Sequence, residues 1–168
     1  QVRYANTISA AGNDLLMLIN DILDLSKVEA GKMGVAPEPV PLRRAVDDVM
    51  KTFEAQAREK NLKLEASIAP GSPSDIQTDP HRLGQILRNL VSNALKFTQE
   101  GGVSTSVLPS PGGMVSFAVR DTGIGIPPHQ QNIIFDAFRQ ADGSTHRRFG
   151  RTGPGLSVSR GLGPLLGG

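Results

Sequence analysis

Three segments of the chain hold residue types able to handle a phosphate-bearing ligand. The first contains Asn89, Asn93 and Lys96. Steps of four and then three place these side chains on adjoining turns of one helix face. Two neutral amide oxygens beside a lysine can hold Mg²⁺ and neutralise phosphate at one point. Taken alone, the trio also fits a solvated helix face. The second segment is Asp121 followed by Thr122-Gly123-Ile124-Gly125-Ile126-Pro127. A strand that ends in Asp and enters Gly-x-Gly sets a carboxylate at a sheet edge with open backbone behind it. Such a carboxylate can accept a hydrogen bond from an adenine amino group, although a lone Gly-x-Gly is more often a simple turn. The third is Phe149-Gly150-Arg151-Thr152-Gly153-Pro154-Gly155-Leu156. A glycine loop running into a helix start brings backbone N–H groups and the positive helix end toward phosphate. It lacks the Lys-Ser/Thr ending of a Walker loop, so a P-loop enzyme is not indicated.

These segments need elements to position them. Apolar residues at Tyr4, Ile8, Ala11, Leu15, Leu18, Ile22 and Leu25 follow steps of four and three, the seam of one long helix. Leu16, Ile19 and Leu23 widen the stripe, which suits a helical bundle. The helix either packs on its own domain or serves dimerisation. Gly31 and Gly34 stop it. Pro37, Pro39 and Pro41 mark an extended connection, and 42–60 has helical spacing with Val46, Val49, Met50, Phe53 and Ala57 on one side. Residues 62–68 alternate as a half-buried strand, 70–74 form a turn, and 76–78 form a short strand. Asp79 is placed as an N-cap, with Pro80 in the first helical position. That helix is expected to run to about Phe97, with Leu83, Ile86, Leu87, Leu90, Val91 and Ala94 as its core face. Residues 103–108 and 114–121 read as a hairpin, hence an antiparallel pairing. A short helix is predicted over 128–135, a mobile polar loop over 140–152, and a weak helix within 153–166, where Gly161, Gly163 and Pro164 oppose helix formation. The fold class is α+β, with a helical extension in front of the layered part.

Composition sets outer bounds. The 168 residues suffice for one domain with an appendage and for a sizeable core. With no Cys, disulfides, thiolate metal sites and a Cys nucleophile are excluded. The longest run of large apolar residues, 15–19, is far short of the roughly 20 needed to span a bilayer. No signal-peptide pattern opens the sequence. A net charge of +2 gives no basic patch, so nucleic acid is not an expected partner.

In this order and spacing the segments are far more specific together than singly, and the chain resembles the sensor histidine kinases of the bacterial hybrid type. Residues 18–31, Leu-Ile-Asn-Asp-Ile-Leu-Asp-Leu-Ser-Lys-Val-Glu-Ala-Gly, are similar to the second helix of their dimerisation and phosphotransfer domain. Residues 79–101, with Asn89-Leu90-Val91-Ser92-Asn93-Ala94-Leu95-Lys96-Phe97-Thr98, resemble the N box. Residues 121–126 resemble the first glycine box, Phe135-Asp136-Ala137-Phe138 the F box, and 144–159 the ATP lid and second glycine box. The resemblance spans nearly the whole chain.

It implies a Bergerat-type α/β sandwich, a mostly antiparallel mixed sheet with helices on one face, behind a long dimerisation helix. Residues 1–33 would belong to the dimerisation domain and 34–168 to the ATP-binding domain. The ligands implied are ATP and Mg²⁺. Asn93 would hold the metal, helped by Asn89. Lys96 would face the phosphates, and Arg147 in the lid would reach the terminal one. Asp121 would read the adenine amino group, Phe97 would lie against the nucleotide, and Gly123, Gly125 and Ile126 would shape its pocket. Thr152, Gly153, Gly155 and the N–H of Leu156 would cradle the phosphate chain. The implied partners are a second copy, joined through the helix over 4–30, and the receiver domain of a response regulator in the full-length protein, all in the cytoplasm. The ATP-hydrolysing relatives in this superfamily carry a Glu four residues before the metal Asn, as a general base. Here that position is Asn89, which cannot take the proton, and Gln85 is no better. Phosphoryl transfer to a protein is therefore favoured over hydrolysis.

Two features depart from the family pattern. The chain is expected to begin inside the second dimerisation helix and to stop before the closing strands. His81, His129 and His146 do not stand in the context of the phosphorylated histidine, so this chain alone is not expected to autophosphorylate. Arg151 replaces a usual Gly and Pro154 a usual aliphatic residue, and Pro154 removes one N–H from the phosphate cradle. They leave open an alternative, a nucleotide-free dimerisation or interaction module with a degenerate site. Restoring Gly at 151 and Leu at 154 would separate the two readings.

Overall fold

The computed structural model describes residues 2–131, 134–135 and 155–167. The leading helix α1, Val2–Glu29, is followed by strand β1, Glu38–Pro41, and helix α2, Leu42–Glu59. Strands β2, Lys63–Ile68, and β3, Asp75–Thr78, precede helix α3, Pro80–Phe97. Strands β4, Gly102–Pro109, and β5, Val115–Asp121, come next, and helix α4, Gly155–Leu165, closes the described chain.

The sheet is mixed. β4 lies at its centre, parallel to β2 and antiparallel to β5, with Leu64 opposite Val103 and Thr105 opposite Val119. Helices α2 and α3 cover one face. Val49, Ala57, Leu62, Leu83, Leu87, Val91, Ala94, Leu95 and Val103 form the main core, and Leu42, Val46, Met50 and Val107 continue it. This is the α+β sandwich expected, and the sequence pattern located its elements closely. The proline-marked connection is itself a strand: β1 pairs antiparallel with β3, with Val40 opposite Ile76. Of the expected 128–135 helix, the described residues show a 3-10 turn, Pro128–Gln130, with Ile134 N–H bonded to Gln130 O at 3.1 Å, while residues 132–133 lie outside the described residues. The 140–152 loop lies outside the described residues.

Asp79 fixes where α3 starts. One carboxylate oxygen accepts from the backbone N–H groups of His81 (2.9 Å) and Arg82 (3.1 Å). The other accepts from Ala36 N–H at 2.9 Å, tying the connector behind α1 to the same point. At the far end Lys60 donates its ammonium to the carbonyls of Leu95 and Thr98, satisfying the negative terminus of α3. The helix that carries the asparagines is thus held at both ends by residues remote in sequence.

α1 is docked by apolar and polar contacts. Leu25, Met33, Val158 and Leu162 are buried together, with Val28 and Ile86 against them. Asp24 accepts from Arg82 at 3.2 Å and from Gln85 at 2.8 Å, linking α1 to α3. Gly161, expected only to weaken α4, lies where α4 meets α1. A Cβ there would stand 2.6 Å from Val28 Cγ1. Gly161→Leu is therefore expected to lower stability by about 1–3 kcal/mol through overpacking, read as a lower urea midpoint. An unchanged midpoint would mean that the two helices part without cost.

Candidate functional site

The C-terminal half of α3 is met by the start of α4 at Asn89 and by the loop after β5 at Phe97. Asn89, half-buried, donates its amide nitrogen to Gly155 O at 3.1 Å and to Ser159 Oγ at 3.3 Å. Gly155 permits this approach, since a Cβ there would lie 3.2–3.4 Å from the Asn89 carboxamide. Asn93 is half-buried one turn further on. Lys96 places its ammonium 5.6 Å from the centre of the Phe97 ring, a cation–π contact at the last turn.

The loop after β5 is stapled to the end of α3. Thr122 Oγ1 donates to Glu100 O at 2.8 Å and accepts from Gly102 N–H at 3.0 Å. Ile124 N–H reaches Phe97 O at 3.4 Å. Asp121 accepts from Gly123 N–H at 2.8 Å, which fixes one carboxylate oxygen and leaves the other side of the group to solvent. Gly123 is required here: a Cβ would meet Phe97 O at 2.5 Å and the Asp121 carboxylate at 2.8 Å. Gly125 takes a φ of +69°, which a glycine adopts without strain. Ile124 and Ile126 stand exposed beyond it, apolar edges suited to a flat ring.

Asn89, Asn93, Lys96 and Phe97 therefore lie along the C-terminal half of α3. Asp121, Gly123, Gly125 and Ile126 lie on the loop fastened to its end, and Gly155 and Leu156 open α4 beside Asn89. Arg147, Thr152 and Gly153, with Arg151 and Pro154, lie outside the described residues. His81 and His129 are exposed, at the start of α3 and in the 3-10 turn, and His146 lies outside the described residues. Among the described residues no group of three or more His, Cys, Asp or Glu is placed to hold a metal. The donor set of Asn89 and Asn93 fits a hard cation that takes amide oxygens together with phosphate oxygens. Ser159 carries no motif of its own in the sequence. Its only signal is its place four residues after Gly155, which becomes meaningful once Asn89 lies alongside.

A family model described as histidine kinase-, DNA gyrase B-, and HSP90-like ATPase matches residues 78–168, the span that holds these groups. The chain belongs to this family. The signal transduction histidine-protein kinase BarA of Escherichia coli strain K12 is 43% identical over 169 residues, covering 98% of this chain and 18% of BarA. The circadian input-output histidine kinase CikA of Synechococcus elongatus is 41% identical, covering 100% of this chain and 22% of CikA. The crystal structure of full-length ShkA in complex with AMPPNP is similar with a TM-score of 0.83 and 32% identity, over 99% of this chain and 34% of that one. The region is thus an ATP-binding catalytic domain of the histidine kinase class. The chain spans about a fifth of the length of the curated relatives it matches. No described helix is long and apolar enough to cross a membrane.

Proposed function

We propose that the chain binds ATP with Mg²⁺ between α3, the 121–126 loop and α4, and passes the terminal phosphoryl group to a histidine of a protein partner. The observation that carries this reading is that the C-terminal half of α3, which bears Asn89, Asn93 and Lys96, is met by the Asp121 loop at Phe97 and by the start of α4 at Asn89. Asp121 reads the adenine amino group, Phe97, Ile124 and Ile126 border the ring, and Gly123 and Gly125 leave room for it. Asn93 and Asn89 hold the metal and Lys96 faces the phosphates. Arg147, Thr152, Gly153, Gly155 and Leu156 complete the phosphate side. The metal would draw charge from the phosphate oxygens. In the transfer an imidazole nitrogen bonds to the terminal phosphorus, and the bridging oxygen leaves with the bonding electrons on ADP. Asn89 stands where a base would have to activate water. An amide cannot do so, which favours transfer over hydrolysis.

Residues 1–33 are read as the second helix of a dimerisation domain and 34–168 as the catalytic domain, working in the cytoplasm, where ATP is. Leu15, Leu16, Ile19, Ile22 and Leu23 of α1 are all exposed, and this favours pairing with a second copy. A response-regulator receiver domain would take the phosphoryl group onward in the full-length protein.

The test is to incubate the chain with γ-labelled ATP and a separately supplied dimerisation domain carrying the acceptor histidine. Acid-labile, base-stable label on that domain is expected. Release of inorganic phosphate without protein label would replace the transferase reading by an ATPase.

A further inference from the structure

Glycine is the poorest helix former after proline, yet α3 carries Gly84 in its interior. What the missing side chain gives is room. A Cβ at 84 would stand 2.8 Å from one terminal nitrogen of Arg88 and 3.4 Å from its guanidinium carbon. The Arg88 side chain therefore folds back over Gly84, along the groove between α1 and α3. Lys27 of α1 lines the same groove from the other wall. Neither cation has a hydrogen-bond or ion-pair partner among the described residues. The carboxylate in the groove is already engaged. One oxygen of Asp24 accepts from both Arg82 and Gln85, and Gln85 in turn accepts from Arg82 at 3.0 Å. Lys27, Arg82 and Arg88 thus face Asp24 alone among the ionised groups lining the groove, an excess of two positive charges. The formal net charge of the whole chain is only +2, so composition does not reveal this concentration. The groove encloses about 390 Å³, room for a tetrahedral oxyanion and its water at about 30 Å³ per water.

We infer that the groove between α1 and α3 is an oxyanion site, separate from the nucleotide site, in which Arg88 and Lys27 hold a free phosphate-type dianion. A guanidinium offers such an anion two parallel N–H bonds, and an ammonium adds a point charge from the opposite wall. Gly84 is what keeps the Arg88 fork over the groove. One residue further round the helix, Asn89 turns to α4 instead, so the two sites use different faces of α3. An anion held by Lys27 and Arg88 joins α1 to α3 a second time, beside the link that Asp24 makes with Arg82 and Gln85.

The experiment titrates inorganic phosphate into the whole chain at constant ionic strength, balanced with chloride, and follows the backbone amide resonances of α1 and α3. Saturable shifts around Lys27 and over 84–88 are expected in the wild type. Arg88→Gln is expected to weaken phosphate binding about 10-fold, the worth of a charge-assisted hydrogen bond. Lys27→Gln and Gly84→Ala are each expected to weaken it about 3-fold, the worth of one exposed charge contact. Gly84→Ala also separates the site from the fold. Alanine is the better helix former, so its urea midpoint is expected to rise while its phosphate affinity falls. Asn93→Ala is expected to bind phosphate as the wild type does, which keeps this result apart from the nucleotide reading. Shifts that do not saturate, that chloride reproduces, or that are the same in the wild type and Arg88→Gln would overturn the site. Loss of phosphate binding in Asn93→Ala would overturn it too, by moving the anion to the nucleotide pocket.

Discussion

Asp121→Ala is expected to weaken adenine nucleotide binding by about 10- to 100-fold, the range of one charged hydrogen bond. The carboxylate has two tasks. One oxygen accepts from Gly123 N–H and closes the loop against α3, and the group as a whole is the one acidic acceptor on this loop. Asp121→Asn separates the tasks. An asparagine can still accept from Gly123, but it carries no charge and offers an amide donor. Overall affinity is then expected to fall less, while discrimination against guanine nucleotides, whose ring carbonyl would meet a carboxylate, narrows. Competition titrations with ADP and GDP measure this. An unchanged preference in Asp121→Asn would place base recognition elsewhere.

Stability is expected to depend most on Asp79. Asp79→Ala removes the acceptor for His81, Arg82 and Ala36 N–H together and should cost about 2–4 kcal/mol, a helix cap plus an unsatisfied donor. The same group sets an acid limb. Burial pushes its pKa up, but the hydrogen bonds from Ala36, Arg82 and His81 and the charge of Arg82 outweigh this, and the net shift is downward. A carboxyl with a lowered native pKa adds stability above its unfolded value of about 3.9, and that contribution is lost as pH falls through the native value. Asp21 acts in the opposite sense. Burial and the neighbouring Asp24 raise its pKa, so its contribution is present below about 3.9 and is lost as pH rises through its native value. Urea midpoints across pH should therefore show a loss below about pH 4 in the wild type that is smaller in Asp79→Asn. Equal acid limbs in the two proteins would contradict the assignment.

What was legible in the sequence was local. Asp79-Pro80 announced a helix start by its own chemistry, and the 3.6-residue spacing of Leu83, Leu87, Val91 and Ala94 announced the buried face. Asp121 ahead of Gly123 needed only the strand before it. What was not legible depends on contacts between distant segments. Lys60 meets the end of α3 across 35 and 38 residues, Asp24 meets Gln85 across 61, and Ser159 meets Asn89 across 70. Gly161 illustrates the difference. Its propensity argues against a helix, yet its missing side chain is what lets α4 lie against Val28. The prolines of β1 likewise hid a strand whose partner, β3, lies some thirty-five residues downstream in the chain.

The central claim is a metal-dependent nucleotide site built on the asparagines of α3. It is tested most directly by calorimetric titration of AMPPNP into the wild type and Asn93→Ala, each with Mg²⁺ and with EDTA. Binding that requires Mg²⁺ in the wild type and is lost in Asn93→Ala is the result predicted. Absence of binding by the wild type, or equal binding by both proteins whether or not Mg²⁺ is present, would contradict it.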